Sequence, residues 1–119
     1  MNNKEFSKQL EIRTRKFAIS IIKLSALLPN TQEARVIKNQ ITKSGSSIGA
    51  NYKEANRARS NADFKNKISI SEGEASETVY WLEIIQDMDW ISETSIDSVL
   101  IEAIELLALF TSIGRKLNK

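Results

Sequence analysis

The chain has 119 residues, 41% of them hydrophobic, with a net charge of +2, no cysteine and no histidine. That length is one domain's worth of chain, able to bury a core of its own. The missing residue types exclude disulfides, thiolate metal sites, cysteine nucleophiles and any imidazole acid, base or ligand. A carboxylate-only magnesium site is chemically open, because hard cations need only oxygen ligands, but surface carboxylates mostly bind nothing and none is assigned. The first residues lack an apolar signal region, and the longest near-continuous apolar stretch, Ile101 to Phe110, contains two glutamates. It is too short to span a bilayer, and the expected location is cytoplasmic.

The first predicted helix covers about residues 4–28, ending where Pro29 disfavours helical geometry in the residue before it. At 100° per residue, Leu10, Phe17, Ile21, Leu24 and Leu28 form a core stripe. Ile12, Ile19, Ile22 and Ala26 form a second stripe on nearly the opposite side. A helix in a lone bundle needs only one apolar stripe, so the second is read as a subunit interface.

The second helix is predicted over 31–59, capped by Asn30 with Glu33. Its centre is unusual, because Ser44-Gly-Ser-Ser-Ile-Gly-Ala-Asn51 reads as a loop by composition while Ile41, Ser44, Ile48 and Tyr52 keep helical phase through it. A phosphate-cradling loop would need a preceding strand and a Gly-Lys-Ser/Thr ending, both missing. The glycines are therefore assigned to a close crossing of helices 2 and 3. With a turn near residue 60, antiparallel partners have numbers summing to about 121, which sets Gly49 level with Gly73 and Gly45 level with Ser76. The same register brings Lys43 and Ser44 to Glu77 and Ser47 to Glu74. Glu54, Glu74 and Glu77 are read as structural pairing partners, with no catalytic residue among them.

Helix 3 is predicted over 61–91, capped by Ser60 with Asp63, and its seam is Phe64, Ile68, Ser71, Ala75, Thr78, Leu82 and Ile85. Tyr80 and Trp81 have acidic neighbours that repel phosphate, so they are assigned to packing or a subunit interface rather than to base stacking. Helix 4 is predicted over 95–117, capped by Thr94 with Asp97, with Leu100, Ala103, Leu107, Phe110 and Leu117 as its seam. Short loops make consecutive helices antiparallel, so the fold class is all-α, an antiparallel up-and-down four-helix bundle in one domain.

Charge divides along the chain. Residues 1–59 hold twelve basic against four acidic side chains, and residues 60–119 hold five against eleven. Arg13, Arg15, Lys16, Lys23, Lys38, Lys43, Lys53, Arg57 and Arg59 are the candidate phosphate contacts. The competing readings are pairing with acids of helices 3 and 4, or meeting an acidic face of a neighbouring subunit.

The run Ser44-Gly-Ser-Ser-Ile-Gly-Ala-Asn-Tyr-Lys-Glu-Ala55, continued by Asn56-Arg-Ala-Arg-Ser-Asn-Ala-Asp-Phe64, resembles the four-helix-bundle proteins encoded in 23S ribosomal RNA intervening sequences. Ser71-Glu-Gly-Glu-Ala-Ser-Glu-Thr-Val-Tyr-Trp-Leu82 is similar to the third helix of that family, and also to the accessory variability determinant of diversity-generating retroelements. The resemblance spans about residues 5–115. It implies a bundle assembled into a homo-oligomeric ring, commonly a pentamer, with no enzymatic activity, no cofactor and no small-molecule substrate. The retroelement relatives are strongly basic and associate with RNA and a reverse transcriptase; here helices 3 and 4 are acidic. Asn51 and Glu54 match the motif Ser-Ile-x-x-Asn-x-x-Glu and are assigned to helix packing. The resulting expectation is a non-enzymatic scaffold associated with RNA or a nucleoprotein, the alternative being a protein-binding adaptor with no nucleic-acid role.

Overall fold

The computed structural model describes residues 3–118, and these form four helices: α1 (Asn3–Ser25), α2 (Gln32–Ala55), α3 (Asn61–Met88) and α4 (Glu93–Leu117). At about 1.5 Å rise per residue, helices of 23 to 28 residues account for the longest dimension, 44 Å, against 23 and 21 Å across. Neighbours pack α1 on α2, α2 on α3 and α3 on α4, and a thinner seam between α1 and α4 closes the bundle.

Local chemistry moves several predicted boundaries. α1 stops at Ser25, not Leu28, because the Ser25 hydroxyl donates to the Ile22 carbonyl at 2.7 Å and the Leu27 and Leu28 amides tighten onto Leu24 and Ser25. Leu28 remains a core residue from outside the helix, at 5% exposure. Thr31, rather than Asn30, caps α2, accepting from the Ala34 amide, while Asn30 accepts from Arg35 instead. Ser60 caps α3 as expected, accepting from the Asp63 amide at 3.0 Å. α3 ends at Asp89, whose φ of 58° is left-handed, a conformation that Asp tolerates better than bulkier residues. α4 begins two residues before the predicted start, so Thr94 lies inside its first turn; Ser92 holds the cap position, with its hydroxyl turned to Thr94 and Ser95.

All five residues of the α1 core stripe are buried, as is the α3 seam from Ile68 to Ile85. In α4 the core contacts are Ile96, Ala103, Leu106 and Phe110; Leu117 is exposed, beyond the end of the packed layers. Tyr52 and Phe110, both buried, meet edge to face at 5.4 Å within this core.

The register between α2 and α3 follows the expected sum. Ser71 Oγ donates to the Ile48 carbonyl, Thr78 Oγ1 lies 2.9 Å from Ser44 Oγ, and Lys67 pairs with Glu54. The glycines, however, face elsewhere. A Cβ on Gly45 would stand 2.8 Å from two carbons of Ile21, and one on Gly49 would stand 2.8 Å from Thr14 Oγ1. Both partners belong to α1, so the close approach is between α1 and α2. Gly73 has nothing within 4 Å of that position. The correction follows from helix geometry: residues level along two axes need not point at each other, and at 100° per residue Gly45 and Gly49 turn away from the Ser44 side that faces α3.

Candidate interaction surfaces

Among the described residues no buried side-chain nitrogen or oxygen lacks a hydrogen-bond partner, and no three acidic groups converge as a metal site. The polar groups inside the bundle are spoken for. Thr78 Oγ1 shares one hydrogen between Ser44 Oγ and the Glu74 carbonyl, and Thr14 donates to the carbonyls of Leu10 and Glu11. Asn51 donates to the Ser47 carbonyl of its own helix, and the exposed Glu54 accepts from Lys67 of α3. Ser47 likewise binds within α2 and does not reach Glu74.

Glu74 and Glu77 lie one turn apart on α3, without Glu54. Burial chiefly, and the Glu77 charge next, raise the Glu74 carboxyl above its ordinary value, while Lys43 pulls it down. Glu77 accepts from the Trp81 indole at 3.0 Å. Trp81 is half-buried and meets Tyr80 edge to face at 5.0 Å, leaving the Tyr80 ring 56% exposed.

The second stripe of α1 lies open. Ile12, Ile19 and Ile22 are 41%, 45% and 50% exposed, and Ala26 is exposed too. The sequence reading missed its counterpart on α4, where Ile101 and Ile104 are 58% and 49% exposed and Ala108 lies on the same outer side. The signal was present in the apolar run from Ile101 to Phe110, which is too continuous for a helix with one buried stripe.

Of the nine candidate phosphate contacts, Arg13 is committed within the chain. Its Nε and Nη2 each lie 2.7 Å from a Glu102 oxygen, and Nη2 reaches Glu105 at 2.7 Å. The bidentate Glu102 bond is the main cause of a guanidinium pKa above its ordinary value, opposed by burial and aided by Glu105. This pair ties α1 to α4 across the thin seam. Arg15, Lys16, Lys23, Lys53, Arg57 and Arg59 are exposed and in no ion pair among the described residues. Lys38 is half-buried, and Lys43 sits beside Glu74.

The family sequence profile described as 23S rRNA-intervening sequence protein matches residues 4–112. A crystal structure of a protein of unknown function from the S23 ribosomal protein family, from Bacteroides thetaiotaomicron VPI-5482, is 39% identical in sequence. It covers 87% of this chain and 96% of its own, with a TM-score of 0.80. Among curated proteins none matches.

Proposed function

The chain belongs to the 23S rRNA-intervening sequence protein family, and from that premise we propose that it works as a non-catalytic, cytoplasmic scaffold that assembles with copies of itself and acts in contact with RNA or a nucleoprotein. One observation carries the reading: the α1 stripe of Ile12, Ile19 and Ile22, facing outward with two-fifths to half of each side chain exposed. Burying an aliphatic side chain fully gains about 1.5–3 kcal/mol, so covering what remains of three isoleucines gains about 2–4 kcal/mol. Ile101 and Ile104 extend the outward apolar surface to α4. The two stripes lie on different helices, so a contact pairing one with the other is head to tail, and such contacts repeat until a rotation closes a ring.

The non-catalytic reading rests on the missing histidine and cysteine and on a polar interior whose groups are spent on one another. No helix among the described residues is long and apolar enough to cross a membrane. The RNA association draws on the family description and on Arg15, Lys16, Lys53, Arg57 and Arg59, exposed and in no ion pair among the described residues.

Light scattering tests assembly. The wild type is expected near five subunits, and an Ile12→Lys, Ile19→Lys variant at smaller masses. A wild-type mass near the single-chain 13.4 kDa at micromolar concentration overturns the scaffold. Filter binding tests the RNA association, which should weaken steeply with salt. No binding in low salt leaves the protein-binding adaptor.

A further inference from the structure

Folding redistributes the charge of this chain. In an up-and-down bundle the start of α1, the end of α2, the start of α3 and the end of α4 gather at one pole. A level near that pole is marked where Gly49 approaches Thr14, Ser71 bonds to Ile48 and Thr111 bonds to Glu72. Arg13, Glu102 and Glu105 bond to one another across the dividing level and are left out of the balance. On the side of the pole, the rest of residues 3–14, 48–72 and 111–118 hold nine basic and five acidic side chains, and the other described residues hold six basic and eight acidic. The molecule is therefore charged end to end along its 44 Å axis.

The acids of the basic pole are largely engaged. Glu54 accepts from Lys67, Glu11 from Asn56, Glu72 from Thr111 and Glu5 from Gln9. Asp63 faces Lys67. Lys53, Arg57, Arg59, Lys65, Arg115 and Lys116 are all exposed and make no ion pair among the described residues. Arg57 and Arg59 stand on the α2–α3 turn at the tip, with the other four on the helix ends around them. Three of these six residues come from the acidic half of the sequence, two of them from the last turn of α4 and so far from Arg57 in the chain; only the topology makes them one surface.

We infer that this pole is a docking surface for the phosphate backbone of duplex RNA, an inference that rests on the RNA association proposed above and gives it a place. Duplex is favoured over single strand by the aromatic rings. Non-specific single-strand binders stack bases on exposed aromatics, yet Tyr80, Trp81 and Trp90 all lie in the acidic half, and Phe6 is the one exposed ring at the pole. A cationic face with arginines reads backbone and shape instead. The face is 23 by 21 Å across; a DNA duplex carries one phosphate charge per about 1.7 Å of axis and the shorter-rise A-form RNA duplex is at least as dense, so at least about a dozen charges pass over it. The apolar stripes run along the sides of the bundle, so side-by-side assembly leaves the pole open.

The test uses the full chain and a mixed-sequence RNA duplex of about 20 base pairs, long enough to exceed the footprint of about 16 that shape-reading domains cover. Arg57→Glu with Arg59→Glu is compared with Arg35→Glu combined with Gln32→Glu and Gln40→Glu, exposed positions that make the same net charge change in the other half. The wild type should bind with a log–log salt slope of about −4 to −5. The pole variant should lose at least about tenfold in affinity, with a shallower slope, and the control should stay within about threefold. Circular dichroism checks folding, and Lys53→Gln with Lys65→Gln tests the same face if the reversal unfolds the chain. Equal losses in both variants, or stronger binding of the unpaired strand than of the duplex, overturn the pole and leave the RNA reading standing. No wild-type binding at low salt overturns the RNA reading itself.

Discussion

Two chemically identical substitutions should move stability in opposite directions. Glycine in a helix interior is about 1 kcal/mol worse than alanine, so Gly→Ala is stabilising wherever a methyl fits. At Gly73 it fits, with nothing within 4 Å of the new Cβ. At Gly45 the methyl would stand 2.8, 2.8 and 3.0 Å from three side-chain carbons of Ile21. Ile21 is fully buried and β-branched, so it has no free end to swing aside. Overpacking of this kind costs about 1–3 kcal/mol, which cancels or exceeds the propensity gain. Gly73→Ala is thus expected to gain about 1 kcal/mol, and Gly45→Ala to lose up to about 2. With about 2.1 cal/mol/K of unfolding entropy per residue, 1 kcal/mol shifts the melting of a chain this long by about 4 °C. The two variants should then melt about 4–12 °C apart, with Gly73→Ala the higher. Thermal denaturation followed at a helical wavelength reads this directly. Gly45→Ala melting about 4 °C above wild type, like Gly73→Ala, would refute the close packing of α1 on α2. If Gly73→Ala instead were the one that lowers the midpoint, the crossing would lie between α2 and α3 after all.

Arg13→Ala should lower the melting midpoint by about 4 °C, since a partly exposed bidentate pair contributes about 1 kcal/mol, and the loss should shrink in high salt. Thr78→Val keeps the shape but removes the hydroxyl beside Ser44, and urea titration should show a loss of about 1 kcal/mol with an unchanged m-value. Glu74→Gln carries a pH signature. A carboxyl raised in the folded state stabilises most below its unfolded value, and that contribution is lost as pH rises through the folded one. The glutamine variant should therefore melt above wild type near pH 7, with the gap closing near pH 4; a gap that widens on acidification contradicts the assigned cause.

The helices and their core faces were legible because both depend on local periodicity. The spacing of Leu10, Phe17, Ile21 and Leu24 names one side of α1, and each of the four is buried. Helix ends were less legible, because several residues compete for one role. Asn30 and Thr31 are both good caps, and Arg35 draws the Asn30 side chain away, which leaves the amide of Ala34 to Thr31. The glycine crossing failed for a different reason. A register sum fixes height along an antiparallel pair but says nothing of rotation about each axis, and an α2 residue has neighbours on two sides. Reading the angle of Gly45 and Gly49 from Ser44, as was done for α1, would have turned them toward Ile21 and Thr14.

The charges show how topology adds what the linear order hides. Counted by sequence halves, the first two helices are basic and the last two acidic, which suggests a basic side and an acidic side. But α1 and α2 run in opposite directions, as do α3 and α4, so each half contributes to both poles. Lys23 and Lys38, adjacent in role when read from sequence, belong to the half of the bundle where Asp87, Asp89 and Glu93 lie. Arg115 and Lys116, counted in the acidic half, join Arg57 and Arg59 at the other end. The basic residues that matter for a polyanion are thus those whose helix-end position and direction coincide. That criterion keeps Lys53, Arg57 and Arg59 from the original candidates, removes Arg13 to its glutamates, and adds Lys65, Arg115 and Lys116, which no sequence-local pattern would have joined.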